Sequence, residues 1–97
     1  MNTKQFFSVL ENIKGGEWEE SDTQLLRWTN GDSHYCPITM VCEYETGVHY
    51  PVNSWEYAAR RLKLPAHVAE SLIDAADFKT NNPLRKRLEK VWERKSS

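Results

Sequence analysis

Two histidines and two cysteines fall within sixteen residues: His34, Cys36, Cys42 and His49. These are zinc-ligand types, but the order H-x-C-x5-C-x6-H matches no common finger spacing. Residues six apart in a helix are rotated by about 240° and displaced by about 9 Å. In a strand they share a face but stand about 20 Å apart. Neither geometry brings Cys36 and Cys42 to one ion. The expectation is two reduced, buried cysteines acting as small apolar residues, with no metal and no cofactor.

Cys36 also precedes Pro37, which marks a helix start. A thiol there has a lowered pKa, and His34 or His49 would supply a base. Those groups form the skeleton of a thiol-dependent enzyme using Cys36. The leading expectation is nonetheless a non-enzymatic protein, because any Cys-Pro at a helix start gives this skeleton. No glycine-rich phosphate loop or Gly-x-Ser-x-Gly stands in the chain.

Charge gives the other candidates. Residues 79–97 carry +5 and residues 1–78 carry −6, a split that the net charge of −1 hides. Glu17, Trp18, Glu19, Glu20 and Asp22 form an acidic connector around an aromatic anchor, suited to a basic protein surface. Lys86, Arg87, Lys90 and Arg94, with Arg85 nearby, lie on the C-terminal helix away from Leu84, Leu88 and Trp92. That stripe suits nucleic-acid phosphates, although Glu89 and Glu93 thin its field. The acidic surface is favoured by a narrow margin. Trp55 to Leu72 has a helix-turn-helix outline, with Lys63 where a turn glycine usually sits. Its second helix brings Glu70, Asp74 and Asp77 and only His67 as a potential cation. A plain helical hairpin is therefore expected.

The elements that must position these residues follow from periodicity and punctuation. Phe6, Val9, Leu10 and Ile13 share a helical face over about 3–14, capped by Thr3 and closed by Gly15-Gly16. Asn30-Gly31 marks a hairpin turn within about 24–36. Residues 36–44 alternate with a period of two, yet Pro37 and Gly47 bracket a helix over about 37–46, and the helix is preferred. Asn53 and Glu56 fit a capping box ahead of Trp55, Ala58, Ala59 and Leu62. Pro65 opens the next helix, and Asn82-Pro83 opens the last. The expected core is Phe6, Leu10, Ile13, Trp55, Ala59, Leu62, Val68, Leu72, Leu84, Leu88 and Trp92.

The chain is therefore expected to be one domain over residues 1–97. Its fold class is mainly α, a compact set of about five short helices that allows one short β-hairpin near residues 24–36. No apolar run approaches the ~20 residues of a membrane helix, and no signal-peptide pattern opens the chain, so a cytoplasmic location is expected.

Several short strings also carry a resemblance. They are Asn30-Gly31-Asp32, Cys36-Pro37-Ile38, Trp55 with Ala58-Ala59 and Leu62, Ile73-Asp74-Ala75-Ala76-Asp77, and Leu84-Arg85 with Leu88. In patches over about 28–92 the chain resembles small uncharacterised accessory proteins of phages and prophages. The resemblance implies an accessory phage context, which includes inhibitors of host defence such as anti-CRISPR proteins. It implies a protein or ribonucleoprotein partner in the host cytoplasm, and it transfers no catalytic residue. A nucleic-acid-binding protein using the last helix is the alternative, and a thiol enzyme is the third reading.

Overall fold

The structure, a computed structural model, describes residues 1–13, 17–19, 27–30, 33–77 and 81–96. Among these residues stand five α-helices, α1 (Thr3–Asn12), α2 (Pro37–Thr46), α3 (Trp55–Arg61), α4 (Ala66–Asp77) and α5 (Pro83–Ser96). Three short strands among them, β1 (Glu17–Glu19), β2 (Arg27–Asn30) and β3 (Ser33–Tyr35), pair antiparallel in chain order. The mainly helical class is as expected. The β2–β3 pair is the hairpin around Asn30, and β1 adds a third strand that the sequence did not announce.

Backbone constraints explain the helix ends. Pro37 cannot donate an amide, so it sits at no cost in the first turn of α2, while Gly47 closes that helix with φ +75°. Asn82 accepts the Leu84 amide at 3.0 Å and donates to the Ser71 carbonyl at 2.9 Å, so the start of α5 is tied to α4. Two expected caps are corrected. The cap of α1 is Asn2, one residue before Thr3, because Asn2 and Gln5 exchange two reciprocal hydrogen bonds at 2.8 and 2.9 Å. The Asn53–Glu56 box does not form. After Pro51, residues Val52–Ser54 make one 3-10 turn, which places Asn53 inside a turn rather than at a helix edge. Helix α1 also ends at Asn12, not 14; Gly15 and Gly16 lie outside the described residues.

Helix α2 is the hub. It packs against α1, α3, α4, β2 and β3. Its first six residues, Pro37 to Cys42, are all buried. Around it the expected core residues Phe6, Leu10, Ile13, Ala59, Leu62, Leu72 and Leu88 are buried. Trp55, Val68 and Leu84 pack against that cluster but are half-buried. Phe7, Leu64 and Ala69 are also core, as are Ile38 and Val41 of α2 and Val91 of the apolar stripe of α5, all outside the expected core set. The side chain of Trp92 lies outside those described.

Candidate functional site

The cysteines come first, because their chemistry is most specific. Cys36 is the residue before α2 and Cys42 lies within it. Both are free thiols and both are buried, with 3% and 0% exposure. Cys36 caps the helix with sulfur. Its Sγ accepts the Thr39 amide at 3.3 Å and donates to Thr39 Oγ1 at 3.3 Å. That hydroxyl in turn donates to the Cys36 carbonyl at 3.1 Å. Cys42 Sγ meets Thr46 Oγ1 at 3.6 Å. Each buried thiol therefore has a local polar partner, which suits a packing role.

His49 stands on the surface with Nδ1 3.4 Å from Glu43 Oε2. The side chain of His34 lies outside those described. Among the described residues, no three His, Cys, Asp or Glu gather as a metal site. A nucleophile must reach its substrate, and Cys36 is sealed beneath α2's first turn. A thiol reagent such as Ellman's is expected to modify both cysteines readily in denaturant. On the native protein the reaction should be at least about a hundredfold slower, since it must wait for opening of the fold. Rapid native labelling of Cys36 would favour the thiol-enzyme reading.

The two charged segments are neighbours. Strand β1, which carries Glu17, Trp18 and Glu19, packs against α5. Part of the expected connector is thus a strand, with Trp18 opposite Trp28 and Trp28 opposite Tyr35 in the ladder. Glu20 and Asp22 lie outside the described residues, as does the side chain of Arg94. Lys86, Arg87 and Lys90 are exposed on α5. Arg87, however, lies with its guanidinium carbon 4.1 Å from the centre of the Phe7 ring, a cation-π contact that helps to cover the core. Arg85 is turned inward. It donates to the Ala75 carbonyl at 2.7 Å and pairs with Glu89 at 3.0 Å. The basic helix therefore uses part of its charge to hold the fold.

A different basic corner stands at the end of α3, and sequence reasoning missed it. Tyr57 is 60% exposed, and the Arg60 guanidinium lies 5.8 Å from its ring centre. Arg61 and Lys63 are exposed beside it. No ion pair engages Arg60, Arg61 or Lys63 among the described residues. The Met1 ammonium joins them, donating to the Leu62 carbonyl at 2.9 Å and the Lys63 carbonyl at 3.1 Å. The available signal was the run Arg60-Arg61-x-Lys63, half of the six basic residues in 1–78. Averaging charge over that long acidic stretch concealed it.

The helix-turn-helix outline corresponds to helices α3 and α4, joined by residues 62–65. Lys63 takes the left-handed conformation with φ +58°. Outward residues of α4 include exposed His67 and Glu70 and half-buried Asp74, a surface poorly suited to DNA. Comparison with known protein families, curated proteins and solved structures gave no match. No helix among the described residues is long and apolar enough to cross a membrane.

Proposed function

We propose that this chain is a non-enzymatic interaction protein that binds a macromolecular partner through a charged surface. The observation that carries the reading is the exposed Tyr57–Arg60 pair beside Arg61 and Lys63. Tyrosine and arginine are the residue types that dominate binding energy at interfaces. Here they stand together, both exposed, with the guanidinium over the ring. The more specific version, a phage-encoded inhibitor of a bacterial defence complex acting in the host cytoplasm, rests on the resemblance of the short strings above. The acidic alternative surface keeps Glu17, Trp18 and Glu19, now in contact with α5 through the backbone of β1. The nucleic-acid alternative keeps Lys86 and Lys90 on α5.

One affinity-capture experiment compares these surfaces. A host lysate is passed over wild-type protein, an Arg60→Glu/Arg61→Glu variant, a Glu17→Lys/Glu19→Lys variant and a Lys86→Glu/Lys90→Glu variant. Unchanged circular dichroism serves as the folding control. The α3 reversal is expected to weaken the captured complex by at least about tenfold, since each reversed charge replaces attraction with repulsion. A complex that survives that reversal but is lost with either other pair would move the site to β1 or α5. Capture of nothing by the wild-type protein would overturn the interaction reading.

A further inference from the structure

The turn between α3 and α4 is a Schellman motif with the wrong residue. The Lys63 amide donates to the Arg60 carbonyl at 3.0 Å, and the Leu64 amide donates to the Ala59 carbonyl at 3.0 Å. This is the crossed pair of bonds that closes a helix, and it places Lys63 in the left-handed region. Glycine adopts that conformation without penalty, whereas a side chain there is strained. Lys63 is exposed, so its side chain does not repay the strain by burial. Nor is its charge needed to neutralise the end of α3, because the Met1 ammonium already donates to the carbonyls there. The Lys63 side chain therefore stands in solvent at a strained turn, serving neither packing nor capping.

Beside this turn, α3 and α4 enclose a cleft of about 330 Å³. Trp55, Ala59, Leu64 and Ala69 give it apolar walls, and exposed Glu56, Arg60 and Glu70 also line it. Alanines on both helices leave room for a side chain from outside. We propose that this corner docks an acidic segment of a protein partner, with one apolar side chain seated in the cleft and its flanking carboxylates on Arg60, Arg61 and Lys63. Arginine's planar fork matches a carboxylate. The two carboxylates in the cleft decide between partners. A nucleic acid brings a phosphate at every step and would press its charge against Glu56 and Glu70. A peptide can set backbone amides there and place its acids only where the cations stand.

This inference rests on the interaction reading above, and the experiment separates the two. The full chain is challenged with a random peptide library, and enriched peptides are measured for affinity. They are expected to combine acidic residues with one aromatic or large aliphatic residue. Lys63→Gly is expected to raise Tm by roughly 4–8 °C while weakening peptide binding about fivefold. Ala66→Trp, at an exposed cleft position, fills the cleft and should abolish binding with the fold intact. A purely structural Lys63 would give the higher Tm and unchanged binding, and that result overturns the proposal. So does a library that yields no acidic consensus, or salt-dependent binding of single-stranded oligothymidylate that Ala66→Trp or Lys63→Gly weakens. If lysate capture still depends on Arg60 and Arg61 while the library fails, only the acidic-peptide inference falls. If both fail, the interaction reading falls with it.

Discussion

Leu88→Ala is expected to remove about 2–5 kcal/mol of stability, the range for deleting a large aliphatic side chain from a closed core. Leu88 has 0% exposure, on a helix that packs against α4, α1 and β1. The shortened side chain leaves a void that three separate elements would have to move to fill. Domains of this size have only about 5–15 kcal/mol in total, so the loss takes a large share of the margin. Urea denaturation followed by tryptophan fluorescence measures it. The midpoint should fall with little change in slope. Leu88→Met, which conserves volume, should cost less than about 1.5 kcal/mol and provides the control if the alanine variant does not fold. An alanine variant with the wild-type midpoint would mean that the Leu84–Leu88–Val91 stripe does not close the core.

Leu88 was legible in the sequence because its stripe has an unmistakable helical period. The ends of α2 and α5 were legible for a stronger reason. Proline fixes φ and lacks an amide donor, and glycine enters the left-handed region without penalty, so Pro37, Gly47 and Pro83 announce boundaries whatever surrounds them. The Asn30-Gly31 signal found the hairpin of β2 and β3 but not its turn position: Asn30 ends β2 and pairs with Ser33, and Gly31 lies outside the described residues. Strand β1 had no such mark. Three residues reading Glu-Trp-Glu gain strand geometry only by pairing with β2, a contact about ten residues away that no local window contains. The Asn53–Glu56 box fitted its pattern, yet the 3-10 turn after Pro51 claimed the position first.

The candidate surfaces were legible as charges but not as places. A count along the chain shows +5 at one end; it does not show that β1 lies on α5, or that Arg85 and Arg87 are held by Ala75, Glu89 and Phe7. The run Arg60-Arg61-x-Lys63 was visible, but its setting was not. That setting needs the left-handed turn, the exposed Tyr57 ring and the α3–α4 cleft, all of which depend on where helix α3 stops.

Ile38→Ala is expected to cost as much as Leu88→Ala, about 2–5 kcal/mol, although the helical stripes of the sequence gave Ile38 no such weight. The ambiguity over residues 36–44 kept α2 out of the expected core. A strand-like alternation and a helical bracket compete there, and each assigns a different inner face. The structure removes the conflict by burying the first six residues of α2 on every side, so no polar face exists to reveal the period. Ile38 has 0% exposure, as do Val41 and Thr39, on the helix that touches α1, α3, α4 and two strands. A cavity there would loosen contacts to all of them together. The graded variant Ile38→Val should cost only about 0.5–1.5 kcal/mol, and the pair gives a measurable series even if the alanine protein is largely unfolded. Chemical denaturation of both variants checks this. An Ile38→Ala protein within about 0.5 kcal/mol of wild type, the range of ordinary surface substitutions, would remove α2 from the centre of the fold. The burial of Cys36 and Cys42 would lose its basis with it.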